Sequence, residues 1–451
     1  MQNNYLKLLG LHVVIGVIIY LFRPLGHFYF YGIVCYFLIK TISIKPQFKS
    51  FQIVSACAYI VGAEVILRMT NSGPFYEASK YLVTLFSVLG LFYNGFNRKA
   101  TTYLLYILFL VPSIYVSLYL LDVGQNIRKA IAFNLSGPVC LGIAALFCYK
   151  VKLTKAQLGT VLDYAVYPLV STLVYVILYN PNVAAISNST GSNFAASGGF
   201  GPNQMSTVLG LGFFIMTVRF FYFSKAKWLR YLDLLLILLF AFRAIVTFSR
   251  GGVLTAIIMI VAFVIILYSR TNSKQKRNLL FSLLGFTVIG IATWIISASQ
   301  TNGLIEKRYA NQNAMGIEKS DVTTGRSELF LAEFDEFLEN PFLGVGVGRV
   351  KDLRFQKTGI HAASHNEMSR IIAEHGLLGV IAFTILLLVP LFFRLGNRSN
   401  VLFFSFYLFW LLTINHSAMR IAAPAFIYAL SLLHIIDDTP SLHRKQINKA
   451  Q

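Results

Sequence analysis

Long apolar blocks recur along this chain, many of them close to the length that crosses a lipid bilayer, and this constrains the fold more than any other feature. Residues 253–268 and 279–297 each run without a charged side chain. The apolar residues come as continuous blocks and not at amphipathic spacing, and a hydrocarbon core takes a helix of about 20 such residues. Charged residues make up only 13% of the 451 positions, about half the ~25% of a soluble domain. So few charges could not cover a water-facing surface. The expected fold is all-α, a polytopic membrane protein with about 12–14 transmembrane helices. The expected spans are 7–22, 27–40, 51–67, 81–95, 101–121, 131–149, 158–180, 204–222, 231–248, 252–269, 279–298, 376–393, 400–418 and 422–437. Reading the two shortest as re-entrant or merged leaves about twelve.

The net charge is +21, which invites a nucleic-acid reading, but the distribution of Lys and Arg argues against one. They stand in short clusters between apolar blocks, as the positive-inside rule produces. Lys40/Lys45/Lys49, Arg98/Lys99, Lys150/Lys152/Lys155, Lys225/Lys227/Arg230, Arg270/Lys274/Lys276/Arg277, Arg394/Arg398 and Arg444/Lys445/Lys449 fall after every second span. All are therefore expected on the cytoplasmic side, with both termini. Cys35, Cys57, Cys140 and Cys148 lie inside apolar blocks, with neither zinc spacing nor a disulfide framework. The first block lacks a small-residue cleavage site and is expected to be a permanent span.

The opposite side holds two unusual segments. Loop 180–203 is rich in Gly, Ser and Asn and has no Lys or Arg. Stretch 298–375 holds Glu306, Glu318, Asp321, Glu328, Glu333, Asp335, Glu336, Glu339, Asp352, Glu367 and Glu374, more than half of the 18 acidic residues. Within it, 327–339 reads as a short amphipathic helix with Leu329, Phe330, Phe334, Phe337 and Leu338 on one apolar face, resting on the membrane or capping a cavity. The organisation expected is 1–200 as scaffold helices, 201–298 as helices with Arg-bearing outer ends, 299–375 as a helical loop domain, 376–437 as C-terminal helices and 438–451 as a tail.

Some cations break the topology rule. Arg243 and Arg250 lie near the outer end of the span 231–248, seven positions apart, and share a face if the helix continues. Arg420 sits at the outer turn between the last two spans, and Arg326 precedes the amphipathic helix. Each alone could be snorkelling. Together they point to phosphate or diphosphate, which planar guanidinium groups grip through forked hydrogen bonds. Gly251 and Gly252 follow Arg250 and would admit either a close ligand or a close helix neighbour.

The strongest local signal runs from His365-Asn366-Glu367 to Glu374-His375-Gly376-Leu377-Leu378-Gly379. A neutral imidazole at the mouth of a span could take a proton from a hydroxyl nucleophile, with Glu374 orienting a donor or holding a positive partner. The plainer alternative is an interfacial His with a satisfied hydrogen bond. His361, four residues before His365, raises metal binding, but no HExxH pattern is present and no metal is expected.

These residues resemble the bacterial O-antigen ligase and O-antigen polymerase superfamily, membrane glycosyltransferases that use undecaprenyl-diphosphate-linked glycans. His365-Asn366, nine residues, then Gly376-x-x-Gly379 fits the family pattern H-[N/S/Q]-x9-G-x-x-G. Ser249-Arg250-Gly251-Gly252 looks like its S-R-G-G segment. Gly325-Arg326 followed by Asn340-Pro341-Phe342-Leu343-Gly344-Val345-Gly346 looks like its Arg, helix, N-P-x-x-G-x-G loop. Gly201-Pro202-Asn203-Gln204 is a weaker match. The resemblance covers about 203–379.

What the resemblance implies is a GT-C-like helical fold, periplasmic chemistry in the bacterial inner membrane, and neither cofactor nor metal. It casts His365 as base or orienting group. Arg250 grips the diphosphate with Arg243, Arg326 and Arg420, and Asn203, Asn366, Glu374 and His361 support. The donor would be an undecaprenyl-diphosphate-linked glycan, and the acceptor a sugar hydroxyl of lipid A-core, a second lipid-linked glycan or a protein hydroxyl. Inverting ligase is the preferred reading, polymerase and protein O-oligosaccharyltransferase the alternatives. A transporter is the non-enzyme alternative, disfavoured because the unusual charged residues cluster at the outer surface and acids within spans are few, Glu64 and Asp233 being the main ones.

Overall fold

The structure is a computed structural model that describes residues 2–95, 97–120, 127–319, 325–359 and 364–436. Apolar runs become helices in it almost without exception, because a helix satisfies its own backbone polar groups where water is absent. In chain order these are α1 (Gln2–Leu21), α2 (Leu25–Ser43), α3 (Lys49–Met69), α4 (Ala78–Asn94), α5 (Thr101–Phe109), α6 (Pro112–Leu120), α7 (Ile127–Cys148), α8 (Lys155–Tyr179) and α9 (Pro202–Val218). There follow α10 (Lys227–Ile245), α11 (Arg250–Arg270), α12 (Ser273–Gln300), α13 (Leu304–Tyr309), α14 (Arg326–Glu339), α15 (Val350–Thr358), α16 (Glu367–Gly396), α17 (Phe403–Ile414) and α18 (Ala423–Ser431). Two three-residue strands, β1 (Lys152–Thr154) and β2 (His434–Ile436), pair in parallel with Leu153 opposite Ile435. The molecule is an all-α polytopic membrane protein.

Among the described residues, ten helical segments are long and apolar enough to cross a membrane, and every one coincides with an expected span. The other expected spans are helices of a different kind. The fourth, α4, has 17 residues, and α10 carries Lys227, Arg230, Asp233 and Arg243. The last two, α17 and α18, have only 12 and 9 residues. Every residue of α18 is buried among neighbouring helices, so it need not match the thickness of the hydrocarbon. The span expected at 101–121 is divided, because Pro112 starts α6 and cannot continue the hydrogen bonds of α5.

Small residues let the helices approach closely. A side chain at Gly62 of α3 would strike the carbonyl of Ala165 in α8, and one at Gly210 of α9 would lie 2.6 Å from the Gly252 carbonyl of α11. Around these contacts α3 packs on α4 and α8, and α9 packs on α10 and α11, while α17 and α18 close the interior against α11 and α7. The in-span acids are neutralised in place. Glu64 lies 2.6 Å from Arg68, and Asp233 lies 3.4 Å from Arg219. Neither carboxylate is left as an open ion site of the kind a transporter keeps near the midplane.

The basic clusters gather at one end. Lys150 N–H donates to the Leu432 carbonyl, Arg270 donates to the carbonyls of Arg398 and Ser399, and Arg394 donates to that of Asn400. Loop 180–203, the α10–α11 turn, helices α13 to α15 and the α17–α18 turn meet at the other end. Residues 437–451, including Arg444, Lys445 and Lys449, lie outside the described residues.

Candidate active site

Two of the sequence motifs clasp each other. Helix α16 is broken at Gly376, whose φ of 60° and ψ of −140° no helix contains. The break frees carbonyls that a continuous helix would use, and the N-P-x-x-G-x-G loop satisfies them. Val345 N–H donates to Ala373 O at 3.0 Å and Gly346 N–H to Glu374 O at 3.1 Å, while Leu377 N–H donates to Pro341 O at 2.7 Å. A Cβ at Gly376 would lie 2.7 Å from the Phe342 carbonyl, and one at Gly344 would strike the Glu374 backbone. The glycines of both motifs are required by backbone meeting backbone.

His365 sits just ahead of this kinked helix and is held by its main chain. Its carbonyl accepts from Ala418 N–H at 3.1 Å. The Ser364 carbonyl before it accepts from Arg420 Nη2 at 2.8 Å. Asn366 after it caps α16, with Oδ1 accepting from Met368 and Ser369 N–H at 2.9 and 3.3 Å. Beneath lies Glu333 of α14, which accepts from Arg354 at 2.5 Å, from the Ser364 hydroxyl at 3.2 Å and from the Ser369 hydroxyl. Burial raises the Glu333 carboxyl above its usual range against these donors.

Of the apolar face expected on α14, Phe334 and Leu338 are exposed and Leu329, Phe330 and Phe337 are half-buried. Glu333 and Glu336 are the buried residues of the helix, while Leu331 is exposed. Polar anchoring to Arg354 and the His365 segment decides the orientation, and the outward apolar residues suit a membrane surface.

The second centre is the α10–α11 turn. Helix α10 stops at Ile245, and Phe248 takes a left-handed φ of 58°, a strain of about 1–3 kcal/mol for a bulky residue. The helix therefore does not continue from Arg243 to Arg250, and the two do not share a face. Arg243 is buried and donates to the carbonyls of Val176 and Asn180 at 3.0 and 2.6 Å. Arg250 opens α11. Ser249 does not cap that helix but donates to Asn203 Oδ1 at 2.7 Å, and Asn203 Nδ2 reaches the His416 carbonyl at 3.4 Å. Gly251 is obligatory, since a Cβ there would lie 2.5 Å from the His416 ring.

Three arginines converge here. Arg250 Nη1 donates to the Arg308 carbonyl at 3.4 Å. Burial first, and then the charges of Arg250 and Arg326, hold the Arg308 guanidinium below its usual range. Burial and Arg250 do the same to Arg326. Among the described residues, neither Arg308 nor Arg326 makes an ion pair with a carboxylate. Lys319 also feels Arg308 and Arg250, and its ammonium donates to Thr190 Oγ1 at 2.9 Å, bringing loop 180–203 to the cluster. The Tyr309 hydroxyl, buried beside Arg250 and Arg308, is pushed up to about 12 by burial and has no hydrogen-bond partner among the described residues. The cluster reaches the histidine motif through His416, on which both Arg326 and His365 act electrostatically.

Residues 234–384 match the model of the O-antigen ligase family. The matched stretch begins in α10, takes in the arginine turn and the 298–375 segment, and ends in α16 beyond the kink, bearing out the resemblance drawn from the motifs. No curated protein matches the chain. An O-antigen ligase region implies a membrane enzyme of glycosyltransferase type acting on lipid-linked glycans. Within that region the structure gathers Arg250, Arg326 and His365, and from outside it Asn203 joins them.

The remaining expected site residues hold the framework or lie outside the described residues. Arg420 serves the Ser364 carbonyl. Glu374 accepts from Arg370 Nη1 at 2.6 Å and from Gly348 N–H at 2.8 Å, so it holds a positive partner within the framework. His361 lies outside the described residues. Among the described residues, no three His, Cys, Asp or Glu side chains come together as a possible metal site. Sequence reasoning passed over Arg308, Lys319, Glu333 and His416. Arg308 and Lys319 could have been found as cations in a segment read chiefly for its acids.

Proposed function

We propose that this protein is an O-antigen ligase-type glycosyltransferase. It moves a glycan from undecaprenyl diphosphate to a sugar hydroxyl of lipid A-core at the periplasmic face of the bacterial inner membrane. The observation that carries the reading is the convergence of Arg250, Arg308 and Arg326 beside the segment bearing His365. Two of those guanidinium groups are held below their usual range by burial and mutual repulsion, an arrangement that a diphosphate would relieve.

In this reading Arg250, Arg308 and Arg326 bind the diphosphate, with Arg243 as a helper through loop 180–203. His365 takes the proton of the acceptor hydroxyl. The hydroxyl oxygen attacks the anomeric carbon from the face opposite the diphosphate, and the bond from that carbon to the diphosphate oxygen breaks with inversion. Negative charge grows on the leaving diphosphate, where fixed cations in a water-poor site are most effective. Proton removal by a positioned base contributes a factor on the order of 10² to 10⁴. Asn366 and Arg420 fix the histidine segment, and Glu374 holds the kink to which it is attached. No metal takes part.

Polymerase and protein transferase share this donor chemistry and differ in acceptor. Deleting the gene separates the first two. Loss of a ligase leaves core without O-chain and polymerised glycan on the carrier, whereas loss of a polymerase leaves single repeats on the core. Reconstituted transfer onto defined acceptors, with and without chelator, tests the remainder.

A further inference from the structure

At the basic end of the molecule, away from the arginine cluster, a cavity of about 620 Å³ opens between α12 and the rest of the bundle. Lys155, Arg230 and Arg270 line it, and no Asp or Glu is among its described lining residues. Each cation is anchored on one side. The Lys155 ammonium lies 3.7 Å from the centre of the Tyr222 ring, Arg230 Nε donates to the Ser224 carbonyl at 3.0 Å, and Arg270 Nη1 donates to that of Ser399 at 3.3 Å. An ammonium has three donors and a guanidinium five, so donors remain for a ligand.

The other wall is α12. Gln275, Asn278 and Ser282 line the cavity and, at i, i+3 and i+7, occupy one face of the helix. Elsewhere α12 is apolar and outward, with Leu284 and Val288 64% and 67% exposed. It touches the bundle chiefly through α10 and α13, leaving a gap. Phe220, Phe221, Leu267 and Leu279 form the apolar part of the lining. Cations, a polar stripe and an apolar wall bordering one cleft match the parts of an amphiphile with an anionic head. A topology signal needs cations at this end, but it needs neither their convergence on one cavity nor a polar stripe facing them.

We propose that this cavity binds an anionic phospholipid. Its phosphate lies among Lys155, Arg230 and Arg270, its glycerol oxygens meet the α12 stripe, and an acyl chain lies against Phe220, Phe221 and Leu279. The lipid fills the gap behind α12. The apolar wall and the lipid-facing outer surface of α12 select a lipid over free phosphate.

Native mass spectrometry of the full chain, released from bilayer discs of phosphatidylcholine with a minor share of phosphatidylglycerol, counts the lipid retained. Wild type is expected to enrich phosphatidylglycerol. The triple variant Lys155→Ala/Arg230→Ala/Arg270→Ala should lose at least ~10-fold of that enrichment, the scale set by the attraction of surface cations for anionic lipid. Lys45→Ala/Arg98→Ala, at the same end but outside the cavity lining, should keep it. Should the triple variant fail to fold, Asn278→Leu/Ser282→Leu replaces it, with loss of enrichment again expected. Three results overturn the proposal: undiminished enrichment in the folded cavity variant, equal loss in the Lys45/Arg98 control, or displacement of the lipid by millimolar inorganic phosphate.

Discussion

Arg308 Nε donates to the carbonyl of Phe248 across 3.1 Å, and Phe248 is the left-handed residue that ends the α10–α11 turn two positions before Arg250. One bond thus ties a helix of the long loop to the strained turn that presents the first arginine. Arg308 therefore has two proposed roles, shaping the turn and adding charge to the diphosphate site. Arg308→Ala is expected to lower the single-turnover transfer rate by about 10²–10³, the usual cost of a lost charge-stabilising donor. Arg308→Lys, which keeps the charge without the forked geometry, should recover only part of it. An unchanged rate in folded Arg308→Ala would remove this residue from the site.

Glu333 joins α14 to the His365 segment. Its side chain and that of Arg354 are 1% and 3% exposed, and breaking such a buried pair costs on the order of 3 kcal/mol or more. Glu333→Gln should lower the unfolding midpoint accordingly. The pH dependence has a definite sign. Burial raises the Glu333 carboxyl, so the folded state binds its proton more readily than the unfolded chain does. Its contribution is most favourable below the ordinary carboxylate range and declines as pH rises through the elevated folded value. Glu333→Gln should flatten that decline in midpoint-against-pH measurements; an unchanged slope would contradict it.

Gly376 and Gly285 form a matched pair. A methyl group at Gly376 meets the Phe342 carbonyl and would have to sit at the native φ of 60°, which side chains disfavour, whereas one at Gly285 meets nothing within 4 Å. Gly376→Ala should cost about 1–3 kcal/mol or more and abolish transfer, while Gly285→Ala should leave thermal stability in detergent unchanged. Equal tolerance of the two would undo the clasp between α16 and the N-P-x-x-G-x-G loop.

Arg243 and Arg326 should part company. Arg243 bonds the carbonyls that end α8, so Arg243→Ala should lower thermal stability and reduce transfer through loop 180–203 without a large change in donor KM. Arg326, repelled by Arg250, should when replaced by Ala weaken donor binding at least ~10-fold while stability holds or improves. Titration of transfer rate against donor concentration separates them.

The membrane class and the positions of the spans were legible because hydrocarbon imposes a length and a composition on every helix that faces it. That rule is silent about α17 and α18, which neighbouring helices enclose, and there the boundaries went astray. Ordered motifs pointed to His365, Arg250 and Arg326 as candidates. The periodicity of α14 marked its apolar face but not the burial of Glu333, whose partners Arg354 on α15 and Ser369 on α16 lie far away in sequence. Nor could the seven-residue spacing of Arg243 and Arg250 disclose the left-handed Phe248 between them, since an ordinary phenylalanine gives no local sign of such a turn.

In the proposed reaction His365 and the arginine cluster act together on a lipid-linked glycan. The most direct test is reconstituted transfer from a lipid-diphosphate glycan onto lipid A-core by purified His365→Ala and Arg250→Ala proteins, each first shown to insert normally. Both variants are expected to lose transfer, with His365→Ala slowed by about 10²–10⁴. Full activity in His365→Ala would contradict the proposed reaction.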